Sequence, residues 1–131
     1  MQTRKLGYTD LNLSTVGFGT WAMGGTGWQW GWGPQDDADS IAAIRAGLDL
    51  GINWIDTAAA YGIGHSEVVV GKAIEGRRDE VIIATKCGLA WDEGSVDLYP
   101  SLTAESIRAE CEASLKRLNV EVIDLYQVHW P

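Results

Sequence analysis

Two hydrophobic patterns alternate along the chain: short continuous apolar runs, and longer stretches where apolar residues return every third or fourth position. Residues 3–6 and 11–13 flank Gly7-Tyr8-Thr9-Asp10, which predicts a short hairpin. Residues 16–19 form a short apolar strand candidate. Across residues 20–34, Gly24, Gly25, Gly27, Gly31 and Gly33 break any regular period, so a loop is expected. From about Asp36 the spacing of Ile41, Ile44 and Leu48 predicts a helix, with acidic residues in its first turn and Gly51 as its stop. Residues 53–56 read as the next strand. Ser66 is expected to cap a helix that runs to about Ile74 and ends at Gly76. The uninterrupted run at residues 81–85 predicts a strand buried on both faces. A loop is expected over residues 87–102. Thr103 then caps a third helix with the apolar stripe Ile107, Cys111, Leu115 and Leu118, and residues 122–128 form the last strand.

Strands that alternate with helices imply a parallel sheet. The predicted class is α/β: an N-terminal β-hairpin followed by four strands alternating with three helices, with residues 1–131 as one domain. Composition narrows the classes further. Hydrophobic residues make up 46% and charged residues 21%, which excludes wholesale disorder. Ten basic residues against eighteen acidic ones give a net charge of −8, so a nucleic-acid partner is not expected. No stretch approaches the ~18 apolar residues of a membrane span, and the first residues lack the apolar run of a secretory leader. Cys87 and Cys111 stand outside any CxxC or Cys/His ligand spacing, so neither a metal site nor a disulfide is expected, and the expected compartment is the cytoplasm.

The chemistry gathers at the C-terminal ends of the predicted strands, where parallel α/β folds build their sites. Gly19, Thr20 and Trp21 follow the first strand, Asp56 ends the second with Tyr61 five residues on, Lys86 ends the third, and His129 ends the fourth. Taken singly, each has a plain structural role open to it: a turn residue, a half-buried aromatic, the wet end of a strand, a satisfied histidine. Together they form a chemical set. Lys86 follows a buried run, so its ammonium calls for a carboxylate, and Asp56 on the neighbouring strand supplies one. A free phenol titrates near ~10, and a lysine ammonium beside it favours the phenolate. A tyrosine so placed can protonate a developing alkoxide, and a histidine nearby can hydrogen-bond a carbonyl oxygen. No side chain supplies a hydride, which points to a nicotinamide cofactor.

At these residues the chain resembles the aldo-keto reductase family. Gly51-Ile52-Asn53-Trp54-Ile55-Asp56-Thr57-Ala58-Ala59-Ala60-Tyr61-Gly62, running on to Ser66-Glu67 and Val70-Gly71-Lys72-Ala73-Ile74, is similar to the family's first signature. Val16-Gly17-Phe18-Gly19-Thr20-Trp21 resembles its first-strand motif, and Ile83-Ala84-Thr85-Lys86 its lysine strand. Ser114-Leu115-Lys116-Arg117-Leu118 and Ile123-Asp124-Leu125-Tyr126-Gln127-Val128-His129-Trp130-Pro131 resemble the approach to its histidine. The resemblance implies the first half of a (β/α)8 barrel, NADP(H), and reversible reduction of a small aldehyde or ketone. It implies Tyr61 as general acid, Lys86 and Asp56 as its tuning pair, and His129 as the group that orients the carbonyl. It further implies that Gly19, Thr20, Trp21 and Asp56 border the nicotinamide. Such a barrel typically needs ~250 residues, so the family residues that grip the adenosine phosphate lie outside these four motifs. The implied partner is then a missing C-terminal half, or a second copy through self-association along the open sheet edges.

Other features carry alternatives. Residues 17–22 fit a dinucleotide-loop pattern, but the glycine-rich stretch after them leaves no room for the helix that pattern requires. Trp28, Trp30 and Trp32 alternate in that stretch, either as an aromatic wall for a substrate pocket or as a loop that packs only in a complete barrel. Trp91, after the third strand, is a further candidate for the substrate pocket. Trp54 and Cys111 are expected in the core, and Cys87 is expected to be an inert thiol. A non-catalytic barrel that senses cofactor or regulates a partner stands as the second function class, and an inactive fragment of a parent enzyme as the third.

Overall fold

The computed structural model describes all 131 residues. The predicted hairpin is present, with β1 (Thr3–Lys5) antiparallel to β2 (Asn12–Ser14). There follow β3 (Phe18–Gly19), α1 (Asp37–Asp49), β4 (Trp54–Asp56), α2 (His65–Ala73) and β5 (Ile82–Cys87). A small antiparallel pair comes next, β6 (Leu89–Ala90) with β7 (Tyr99–Pro100), and then α3 (Ala104–Leu118) and β8 (Leu125–Val128). Strands β3, β4, β5 and β8 lie parallel in that order, an open arc of sheet with β3 and β8 at its edges. This is the first part of a (β/α)8 barrel, and the sheet does not close.

Local chemistry explains the boundaries. The Asp36 carboxylate accepts from the backbone N–H groups of Ala38 and Asp39, so α1 begins one residue after it. The Thr103 hydroxyl accepts from the Ser106 N–H and starts α3, while Asn119 in the left-handed conformation ends it. Helix α2 departs from the predicted start. Its first residue is His65, its N-cap is Gly64 at φ 90°, and Ser66 is buried inside the first turn rather than capping it. The loop expected over residues 87–102 contains the β6–β7 pair instead.

The core lies between the sheet's outer face and the three helices. Ile55 of β4 and Ile83 of β5 pack there with Ile44, Leu48, Val69, Val70, Ile74 and Leu118. Each fully buried aliphatic side chain contributes ~1.5–3 kcal/mol. Helices α2 and α3 approach closely at Gly71, where an added Cβ would stand 2.6 Å from the Leu118 carbonyl oxygen. Because side chains alternate along a strand, Trp54, Asp56, Ile82, Ala84, Lys86 and Gln127 share the inner face. That face is half open: Ile82 is only partly buried, unlike Val81 and Ile83 on either side of it. Ala84, on the same face, is 1% exposed, so the expected burial on both faces holds over residues 81–85 except at Ile82. Trp54 is also only partly buried. It lies against Gly17 and donates its indole N–H to the Ser14 carbonyl, which fastens the hairpin beneath the N-terminal end of the sheet. Cys111 is likewise half-buried rather than enclosed. No helix is long and apolar enough to cross a membrane.

Candidate active site

The C-terminal ends of β4 and β5 bring Lys86 to the centre of a three-way contact. Its ammonium donates to Asp56 Oδ2 at 3.0 Å, to the Thr57 carbonyl at 2.8 Å and to the Tyr61 phenol oxygen at 3.2 Å. The register explains the first contact: Asp56 pairs with Ala84, so Lys86 sits one inward-facing position further along the adjacent strand. The Lys86 side chain is 13% exposed and that of Asp56 33%, so the pair stands at the edge of solvent with little water around the ammonium. An ammonium has three N–H groups, and all three are used. The Tyr61 oxygen accepts from Lys86, which leaves its own proton free to donate elsewhere.

A layer of buried hydroxyls supports this centre. Ser66 Oγ lies 2.8 Å from Thr20 Oγ1, 3.0 Å from the Thr20 carbonyl and 3.1 Å from Thr57 Oγ1. The Thr20 N–H and hydroxyl both donate to the Asp56 carbonyl, at 3.1 and 3.2 Å. The first turn of α2 is thereby tied to the ends of β3 and β4, and the Thr57 carbonyl is held toward Lys86. Tyr61 is positioned by a close backbone approach. Gly62 has φ 65°, and a Cβ there would collide with the Gly24 carbonyl, so the loop carrying Tyr61 can lie against the 3-10 turn at Trp21–Gly24 only with glycine at this place. Gln127, level with Lys86 on β8, places its amide nitrogen 3.5 Å from Asp56 Oδ1, a long hydrogen bond.

His129 extends β8. Its backbone N–H donates to the Cys87 carbonyl at 2.8 Å, and its ring meets the Tyr61 ring edge-on with centroids 5.7 Å apart. The imidazole has no side-chain partner within the chain, so its N–H is available to a ligand oxygen. Burial, and after it the positive charge of Lys86, lower its pKa below the ordinary 6.5. A histidine with a lowered pKa stabilises the fold fully above pH 6.5, and that contribution is lost as pH falls through the lowered value, because the unfolded chain binds the proton first. NMR titration of the ring should give a midpoint below 6.5, and replacing His129 by Gln should flatten that part of the stability profile. A midpoint at or above 6.5 would contradict the described environment.

Trp21, Trp28, Trp30, Leu89 and Trp130 wall a small cavity of ≈ 30 Å³ beside Tyr61 and His129. The Trp21 and Tyr61 rings lie 5.3 Å apart, and those of Trp30 and Trp130 lie 5.5 Å apart. Trp28 is buried, whereas Trp32 is 79% exposed and stands outside the cavity. Trp91 is a correction to the expected pocket. Its ring lies 5.6 Å from the Arg117 guanidinium, over a groove on α3 lined by Ser106, Ala109 and Ala113. The β6–β7 pair and the attraction of a guanidinium for an indole face hold it there. Cys87 is buried, and burial raises its thiol pKa, the condition of an unreactive cysteine.

Asp56, Tyr61, Lys86 and His129 thus come together, with Thr20 beneath them and Trp21 beside Tyr61. Gly19 lies at the exposed end of β3, paired with Asp56, and nothing stands within 4 Å of where its Cβ would be. Sequence reasoning did not find the roles of Ser66, Gln127 and Glu67. Glu67 is fully buried, accepting from Thr85 Oγ1 and from Arg117 Nε, each at 2.6 Å. Its local sequence signal is a carboxylate set directly before the three valines of α2.

The model of the Aldo/keto reductase family matches residues 15–131. The chain is 50% identical to aldo-keto reductase YhdN of Bacillus subtilis over 133 aligned positions, covering 100% of this chain and 38% of that protein. It is 44% identical to the NADH-specific methylglyoxal reductase of Escherichia coli, covering 99% and 42% respectively. Among solved structures, the holo form of aldo-keto reductase AKR11C1 from Bacillus halodurans superposes with a TM-score of 0.86 at 35% identity, over 98% of this chain and 40% of that one. An aldo-keto reductase from Klebsiella pneumoniae in complex with NADPH gives 0.75 at 32% identity, over 98% and 39%. The chain therefore spans about two fifths of the length of the relatives it matches. With the parallel strands and the family match in agreement, the chain belongs to the aldo/keto reductase family.

Proposed function

We propose that the protein is a nicotinamide-dependent carbonyl reductase, acting reversibly on aldehydes or ketones, with Tyr61 as the general acid. The observation that carries this reading is the Lys86 ammonium, which joins Asp56 and the Tyr61 oxygen at 3.0 and 3.2 Å. As the carbonyl π bond breaks onto oxygen, Tyr61 gives that oxygen its proton. The adjacent ammonium offsets the negative charge left on the phenol oxygen, and Asp56 together with the Thr57 carbonyl holds the ammonium in place. The His129 N–H donates to the carbonyl oxygen and orients it. Solvent then returns a proton to Tyr61. When bound, reduced nicotinamide supplies the hydride to the carbonyl carbon and is oxidised in exchange.

The residues present fit the nicotinamide end of such a cofactor. The open Gly19 edge leaves space for a flat ring, with Trp21 and Asp56 beside it and the buried Thr20 beneath. They do not fit the phosphate end, because the loops at these strand ends contain no arginine or lysine. NADP(H) is the reading favoured by the family resemblance and by the NADPH-bound relative, with NADH as the competitor on the strength of the methylglyoxal reductase. The span of two fifths of the relatives' length keeps a second reading in view, that of a fragment that acts only with the remainder of a barrel along its open edges. Titration with NADPH and NADH, followed through the seven tryptophans, tests the assignment. Saturable quenching that is tighter with NADPH is the expected result. No quenching by either, in the protein at its native length, would remove the cofactor site.

A further inference from the structure

Resting on the reductase reading and deepening it, we infer that Ser66 is a positioning residue for the proton transfer: its buried hydroxyl holds the Asp56–Thr57 segment so that the Lys86 ammonium stays against the Tyr61 oxygen. The other two acceptors of that ammonium, the Asp56 carboxylate and the Thr57 carbonyl, come from these two adjacent residues. Ser66 reaches both. Its Oγ lies 3.1 Å from Thr57 Oγ1 and 2.8 Å from Thr20 Oγ1, and Thr20 gives its N–H and its hydroxyl to the Asp56 carbonyl. It reaches the acid as well, because the Ser66 N–H donates to the Tyr61 carbonyl at 3.1 Å. One residue thus ties together Asp56, Thr57 and Tyr61, the three that receive the Lys86 ammonium.

The hydroxyl protons of this group run in one direction. A hydroxyl donates only once. The Thr20 proton goes to the Asp56 carbonyl, so Thr20 Oγ1 accepts from Ser66. The Ser66 proton is then committed to Thr20, and Ser66 Oγ accepts from the Thr57 hydroxyl. The relay leaves from Thr57 and returns at the Asp56 carbonyl, so it clamps one short stretch from both sides. Thr20 is 1% exposed, and Thr57 and Ser66 are fully buried, so the elements that carry them already enclose the group. Its base is anchored too: Glu67, next along α2, is held by Thr85 of β5 and Arg117 of α3. Stability alone does not call for these hydroxyls, because apolar groups of the same shape can replace a hydrogen-bonded set at little cost. Apolar groups would not, however, fix the direction of the Thr57 carbonyl toward Lys86.

Single-turnover reduction of propanal or methylglyoxal, with the more tightly bound reduced nicotinamide at saturation, tests this in the protein at its native length. Ser66→Ala should slow that step by at least about tenfold, while the KM for aldehyde and the Kd for cofactor move by less than about threefold. Thr57→Val keeps the side chain's shape and removes the same contact. It should slow the step comparably, and the double variant should be no slower than the slower single one. Leu48→Ala, in the core on α1, should lower the unfolding midpoint and leave the rate unchanged. Where Ser66→Ala does not fold, the rate of Thr57→Val decides the matter. Wild-type rates in the two single variants overturn the positioning role and leave the reductase reading standing. A slowing that Leu48→Ala reproduces, or losses that add in full in the double variant, overturn it in the same way. A wild-type protein that reduces neither aldehyde overturns both readings.

Discussion

Replacing Tyr61 by Phe should lower kcat for carbonyl reduction by ~10²–10⁴-fold, the range general acid catalysis supplies. At 1.36 kcal/mol per tenfold, that is about 3–5 kcal/mol of barrier. The substitution removes one oxygen. The ring keeps its contacts with Trp21, Trp28 and His129, and Lys86 keeps Asp56 and Thr57. Cofactor affinity and the unfolding midpoint should therefore change little, which separates loss of the proton donor from loss of structure. Steady-state kinetics beside a cofactor titration of the same variant checks this. Unchanged turnover would remove Tyr61 from the mechanism, and a parallel loss of cofactor binding would reassign it to a positioning role.

The largest effect on stability is expected at Glu67. It is fully enclosed, and it joins α2 to β5 through Thr85 and to α3 through Arg117. Removing one partner of a buried ion pair costs ~3–5 kcal/mol. The Arg117 side chain is 21% exposed and can recover some hydration, so Glu67→Ala should cost about 3 kcal/mol, the lower end of that range. Replacing both partners by Leu should recover much of the loss, since the uncompensated charge goes with the pair. Denaturant unfolding of the single and double variants measures both numbers. A single-variant change below about 0.5 kcal/mol, the size of an ordinary surface substitution, would show that the pair is not enclosed as described.

What could be read from the sequence was what local pattern determines. Lys86 follows four apolar residues and a threonine, and Asp56 closes a strand before a threonine, so both fall at strand ends whatever the rest of the chain does. The parallel sheet then brings them together, because Asp56 pairs with Ala84. His129 followed from the same logic. Features created by contacts between distant segments were not legible. Ser66 carries the marks of a helix cap, yet Gly64 in the left-handed conformation starts α2 and frees the serine to join Thr20 and Thr57. Glu67 meets Arg117 fifty positions away, and no periodicity reports such a pairing. Trp91 looked like a pocket residue because it follows the lysine strand, but a short antiparallel pair and a guanidinium draw it over α3. The tryptophans of the glycine-rich loop divide in the same way: Trp28 and Trp30 reach the cavity, and Trp32 stays in solvent.

The reductase proposed here uses the Asp56–Lys86–Tyr61 contact for proton transfer to a carbonyl oxygen rather than for cofactor sensing alone. The most direct measurement is aldehyde-dependent oxidation of NADPH, and of NADH in parallel, by the protein at its native length, with recovery of the alcohol quantified. One alcohol should form for each reduced cofactor consumed, with no consumption without aldehyde. Saturable cofactor binding with no alcohol formed from any short aldehyde would contradict this use of the contact, and would leave a cofactor-binding barrel that does not turn over.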